Sequence, residues 1–254
     1  MGELKYAIMR YTPSLVSGES INLAALFFYV DTDYREFYII NNWNRVAAFD
    51  DTLNVPMIKD ILLDIQDAVG TSITNPDFDI KRLCARYSNE LHFDNAISLP
   101  VEEKNLFKQI DEVKRMYFQF ELEKELRPKK DEQKRFLGRI LKAKEIEYRR
   151  DDHQLGKYNE PIVYDYSFSN YGVKFFNFDL DSIQSQTINK VKAWAWNCAN
   201  SIDGKKVIIF YNSSDDTRAD VSAALSILRE SAFMVVSINE GFGNVINVLD
   251  KLIS

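Results

Sequence analysis

From residue 162 to residue 253, short apolar runs alternate with stretches of helical spacing, and few architectures accept that order. Residues 162–168 and 173–180 read as two strands joined by a turn at Asn170 and Gly172. Residues 186–201 read as a helix, 206–211 as a buried strand, 217–231 as a helix, 233–238 as a strand and 244–253 as a closing helix. Strands alternating with helices require crossover connections, and crossovers of this kind are right-handed and build a partly parallel sheet. The expected C-terminal lobe is therefore α/β with a mixed sheet.

The first hundred residues follow another plan. Strands are expected at 4–10, 21–30 and 34–41, with Asp31-Thr-Asp33 as the hairpin between the last two. A short fourth strand is expected at 45–49. After Pro56, the spacing of Ile58, Ile61, Leu62, Ile65, Ala68 and Val69 predicts a helix that stops at Gly70. Further strand character surrounds Leu91 and Phe93. This is an α+β lobe, an antiparallel sheet with a helix packed on it.

Between the lobes, residues 102–127 read as one charged helix interrupted by Pro128. A second helix is expected from Asp131 to about Arg150, with a loop marked by Asp151-Asp152, Gly156 and Pro161. The expected organisation is an α+β domain over 1–100, a charged helical connector over 101–155 and an α/β domain over 156–254. Charge follows the same division. The whole chain carries a formal −6, yet residues 101–150 hold 15 basic and 11 acidic side chains. A local basic surface is compatible with this; uniform nucleic-acid binding is not.

Several function classes are excluded early. The apolar runs at 23–30 and 207–211 are far shorter than the ~20 residues a membrane helix needs. No basic segment followed by an apolar stretch opens the chain, so no signal peptide is expected. Cys84 and Cys198 stand far apart and read as lone buried thiols, which suits a cytoplasmic setting. His92 and His153 have no partner at zinc-ligand spacing. Neither a Gly-x-Ser-x-Gly elbow nor a phosphate-binding Gly-x-x-x-x-Gly-Lys loop is present, and Gly241-Phe-Gly243 is too short for a dinucleotide fingerprint. No cofactor is expected.

The opening carries a more particular pattern. Tyr6-Ala-Ile-Met-Arg-Tyr-Thr-Pro13 is followed by Gly18-Glu-Ser-Ile-Asn22 and then an apolar strand. This resembles a small bacterial family numbered 3037 among domains of unknown function, whose members open with a strand ending in Arg-Tyr-x-Pro and a Gly-Glu-x-x-Asn turn. The resemblance covers about the first 100 residues, or about 150 if the following helices belong to it, stops short of the C-terminal lobe and carries no activity. It implies a setting, since such domains are encoded beside kinases similar to the HipA toxin and in toxin–antitoxin and phage-conflict loci. Read physically, Arg10, Glu19 and Asn22 are either a hydrogen-bonded turn that fixes strand register or the lining of a recognition surface.

Chemistry is sparse in the C-terminal lobe. Its order of elements is similar to restriction-endonuclease-like cores, which place an Asp on one strand and a Glu- or Asp-x-Lys on the next. The carboxylates hold Mg²⁺ and the Lys polarises water or phosphate. Asp165 and Asp179 are the candidate carboxylates, but no Lys follows Asp179 at the required spacing. Either they form such a site in degenerate form or they are acids at strand edges. Asp215, Asp216 and Asp220 make an acidic corner where Asp216 or Thr217 is expected to cap a helix. Between 124 and 150, 11 basic residues face 5 acidic ones, with Lys129, Lys130, Lys134 and Arg135 at the centre. This segment is either a solvated helix face or a docking strip for RNA, DNA or an acidic protein. Trp194 and Trp196 cannot share a helix face, so one is expected in the core and the other exposed.

The reading is a non-enzymatic interaction module: an adaptor, antitoxin-like partner or specificity subunit in a bacterial defence, toxin–antitoxin or phage counter-defence system. Its expected partner is another protein encoded nearby. A metal-dependent nuclease-type effector using Asp165 and Asp179, and a nucleic-acid-binding module using 124–150, are the alternatives.

Overall fold

The computed structural model describes residues 2–14, 19–71, 78–178, 184–200, 204–213, 215–238, 242, 245, 248, 249, 251 and 252. The chain divides into two compact units, Met1–Pro128 and Lys129–Ser254.

In the first unit, β1 (Gly2–Tyr11) is the centre of an antiparallel sheet. On one side it pairs with β2 (Ile21–Tyr29), which pairs in turn with β3 (Tyr34–Ile39). On the other side two short strands share its length. β4 (Leu91–Phe93) pairs with Met9, Arg10 and Tyr11, and β5 (Ile97–Val101) pairs with Gly2 to Tyr6. Nearly every residue of β2 is buried, so both its faces are covered. Tyr6 and Phe27 pack toward Tyr117, while Phe28 packs on Phe78.

Among the described residues, the helices α1 (Trp43–Phe49), α2 (Val55–Thr71), α3 (Ile80–Cys84) and α4 (Leu106–Tyr117) accompany this sheet. The strand expected at 45–49 is thus the helix α1. Only Val46 is buried there, so no alternating apolar face exists to hold a strand, and Ala47-Ala48 favours helix. The α2 helix runs past Gly70 to Thr71. The single helix expected at 102–127 is shorter, and two 3₁₀ turns follow it at Gln119–Glu121 and Lys124–Leu126. Met116, Tyr117, Phe118 and Gln119 are buried in succession, and one helix face cannot bury four consecutive residues. The chain leaves the helix at Phe118, and the Glu121 carboxylate then accepts the Asn41 N–H at 2.7 Å at the entry to α1.

The second unit opens with α5 (Lys130–Ala143) and continues through β6 (Arg149–Leu155), β7 (Pro161–Phe168), β8 (Tyr171–Asn177), α6 (Gln184–Asn200), β9 (Lys206–Asn212), α7 (Ala219–Ser231) and β10 (Met234–Ser237). Its sheet runs β10-β9-β8-β7-β6. The pairs β6–β7 and β7–β8 are antiparallel, and β8–β9 and β10–β9 are parallel. The mixed α/β sheet is as the sequence implies, with one added edge strand. Val191 of α6 and Val221, Ala224, Leu225 and Leu228 of α7 share one core cluster with Tyr164, Phe176, Ile209 and Tyr211 of the sheet.

Residues 144–152 correct the sequence reading: α5 ends at Ala143 and Asp151-Asp152 lies in β6, not in a loop. Glu145 adopts a left-handed φ of 57°, its N–H bonds the Lys142 carbonyl, and the Ile146 N–H bonds the Leu141 carbonyl. That is a helix stop usually announced by Gly, here made by Glu. Among the described residues, no helix is long and apolar enough to cross a membrane.

Candidate functional site

The β7–β8 ladder pairs Phe168 with Tyr171, Ser167 with Gly172 and Tyr166 with Val173, and goes no further. Beyond that point two side chains take over the backbone groups. The Asp165 carboxylate accepts the Phe175 N–H at 2.8 Å, and the Lys174 ammonium donates to the Val163 carbonyl at 2.8 Å. Tyr166 donates its hydroxyl to the Lys134 carbonyl of α5, whereas Tyr164 packs on Trp194 of α6.

This unpaired stretch starts at Lys174, in the carboxyl half of β8, whose other edge pairs with the parallel strand β9 as far as Asn177. Three ammoniums converge on Asp165. Lys134 forms the tightest ion pair, Lys174 stands at 3.5 Å and Lys130 at 3.8 Å. Asp165 is 3% exposed, and Lys134 is also buried. Burial by itself would raise the Asp165 pKa, but Lys174, Lys130 and the Lys134 hydrogen bond outweigh it and hold the carboxyl below its usual range. Lys130 and Lys174 are lowered, chiefly by burial and further by their neighbouring lysines, against the pull of Asp165. The Lys174 ammonium also lies 4.9 Å from the centre of the Trp194 ring.

Asp165 is thus engaged by cations and a backbone donor. Asp179 lies outside the described residues. Among the described residues, no group of three or more His, Cys, Asp or Glu is placed to hold a metal ion. Of the central basic residues, Lys130 and Lys134 turn toward Asp165, while Lys129 and Arg135 are exposed. The acidic corner is internally bonded. Asp215 accepts from Thr217, Asp216 from the Tyr211 hydroxyl, and Asp220 from Arg218. The residue capping α7 is Arg218 rather than Asp216 or Thr217.

The opening motif is placed in the first unit. Arg10 is 3% exposed, lies 3.0 Å from Asp94 and donates to the Ser20 hydroxyl at 3.0 Å. Asn22 is buried and donates to the Tyr117 carbonyl at the end of α4. Glu19 is exposed, and Gly18 is outside the described residues. Arg10 and Asn22 thereby tie β1 and β2 to α4 and to the residue after β4. Asp94 had no motif to announce it.

A second surface feature emerges at the edge of the other sheet. Trp194 packs against the core, while Trp196 is 45% exposed and stacks on Tyr158 with ring planes 14° apart. Tyr158 is itself 71% exposed, and Leu155 at the end of β6 is exposed as well. The turn between them is held by Glu160, whose carboxylate accepts the Tyr158 N–H at 2.7 Å and bonds Trp196. Only Trp196 of this trio was legible as a candidate. Burial pushes the thiols of Cys84 and Cys198, both free, up to about 12.

No curated protein and no solved structure matches the chain. Residues 6–87, all within the first unit and fewer than half of the chain, match the family described as Protein of unknown function (DUF3037), so the N-terminal part resembles that family from Tyr6 through α2 and α3.

Proposed function

We propose that this protein is a non-enzymatic interaction module, an adaptor, antitoxin-like partner or specificity subunit. The observation that carries the reading is the exposed Tyr158–Trp196 stack beside Leu155. Aromatic side chains held rigid at the surface are what protein interfaces select for their anchors. Glu160 fixes this pair at little conformational cost on binding. The bacterial defence or toxin–antitoxin setting rests on the family resemblance of the N-terminal part, and the partner is then a protein encoded beside this one.

The test is co-purification and titration with the product of the neighbouring gene. Trp196→Ala is expected to weaken the complex by roughly 2 kcal/mol or more, as for an interface anchor, with unchanged melting. Full-strength binding by Trp196→Ala and Tyr158→Ala would dismiss this surface.

A nuclease-type effector is the second reading, favoured by the contact of Asp165 with Lys174. Against it stands the saturation of Asp165 by lysines, which leaves a carboxylate poorly placed to attract Mg²⁺. The nucleic-acid reading keeps the exposed Lys129 and Arg135 but loses Lys134 to the interior.

A further inference from the structure

The geometry points to a binding site for a terminal phosphate, a dianionic phosphate monoester, in the opening between β7 and β8, held by Lys130, Lys134 and Lys174. Its position is set by the ladder, which stops at the Tyr166–Val173 pair and leaves the carboxyl half of β8 unpaired with β7. One lysine would suffice to balance Asp165. Three are brought to it; Lys174 recovers part of its lost solvation from the Val163 carbonyl and Lys134 from Asp151, and a net positive charge still remains around one buried carboxylate.

Asp165 does not cancel the charge; it organises it. One carboxylate oxygen is fixed by the Phe175 N–H, the other gathers Lys134 and Lys174. The Lys130 side chain, 35% exposed, forms the rim, while Lys134 and Lys174 lie deeper. A phosphate monoester carries about −1.5 to −2 near neutral pH and offers three acceptor oxygens, one for each ammonium. The rim also favours a small ligand over a polymer. Asp151 stands 3.9 Å from Lys134 and is half exposed, and Asp131 and Glu132 occupy the first turn of α5. Those carboxylates oppose an extended polyanion, whereas a single terminal phosphate can pass them. The site shares no residue with the Leu155–Tyr158–Trp196 surface, so the two readings stand or fall separately.

The test is calorimetric titration of the full chain with inorganic phosphate, with a nucleoside 5′-monophosphate, and with a single-stranded oligonucleotide lacking terminal phosphates, at matched ionic strength. Phosphate and the monophosphate are expected to bind, and Lys130→Ala, a rim substitution that spares the buried residues, to weaken both by about tenfold. Lys129→Ala and Arg135→Ala are expected to change neither. A thermal melt with each anion serves as the second measurement, because phosphate stabilises many proteins by exclusion from their surface. A rise in melting temperature present in the wild type and reduced in Lys130→Ala supports the site. No monoester binding at millimolar concentration, equal loss on Lys129→Ala, or Lys130-dependent binding of the oligonucleotide would overturn it.

Discussion

The Arg10 guanidinium stands 3.0 Å from the Asp94 carboxylate, with both side chains almost wholly enclosed. Arg10 sits where the β1–β2 register shifts, and Asp94 follows directly on β4, its N–H bonded to the Ile8 carbonyl. The pair therefore locks two neighbours of β1 at one point. Removing one partner leaves a buried charge uncompensated, so Arg10→Ala is expected to destabilise the protein by roughly 3–5 kcal/mol. Glu19→Ala, at an exposed position, should cost much less. Urea unfolding of the two variants provides the comparison, and equal losses would remove the special role of the Arg10–Asp94 pair.

Asp165 makes stability depend on pH. Its folded-state pKa lies below the unfolded value, so its contribution is complete above about pH 4 and is lost as pH falls through the folded pKa. Protonation there would also remove the carboxylate charge that three ammoniums share. Asp165→Asn should therefore be most destabilising near neutrality and approach the wild type in strong acid. Lys130 and Lys174 act in the opposite window. Their pKa values are lowered, so the unfolded chain holds those protons more firmly and stability should rise as pH passes through their folded pKa toward 10.5. A stability difference between wild type and Asp165→Asn that is flat with pH would contradict the ion cluster.

The order of β1 to β3 and α2, and of β7, β8, α6, β9, α7 and β10, was legible because apolar spacing is local. What escaped was tertiary. The strand β6 reads Arg-Arg-Asp-Asp-His-Gln-Leu and buries only Asp152; edge strands can be built from charges and then carry no apolar signal. The α5 stop has Glu145 where Gly would have been the cue. Asp165 could be named from the sequence, but not its surroundings, because the gap that admits Lys174 and Lys134 exists only where two strands part. The basic segment looked uniform for a related reason: one-dimensional charge does not reveal which lysines face a buried acid.

Metal-dependent cleavage is expected to be absent. Isolated protein incubated with single- and double-stranded DNA or RNA and Mg²⁺ or Mn²⁺ should leave the substrates intact, since a divalent cation would have to displace Lys134 from Asp165. Cleavage that vanishes in Asp165→Ala would restore the nuclease reading and make the lysines part of its chemistry.

The last expectation concerns the basic segment as a contact for an acidic partner. Reversing Lys129, Lys130, Lys134 and Arg135 together would confuse two effects. Lys134→Glu would set a carboxylate against buried Asp165, and loss of binding would then report unfolding. The informative variant reverses exposed residues alone, Lys129→Glu with Arg135→Glu and Lys142→Glu. If these charges steer an acidic partner, the triple reversal should slow association with little change in dissociation. Added salt should slow the wild type in the same way, because exposed charges are screened over about 10 Å at 0.1 M. Stopped-flow association with the neighbouring gene product at two ionic strengths separates the cases. Melting of the reversed protein should stay close to wild type, as all three substituted residues are exposed. Association insensitive to both salt and reversal would assign recognition to the Tyr158–Trp196 surface, where burial of aromatic area rather than charge decides affinity.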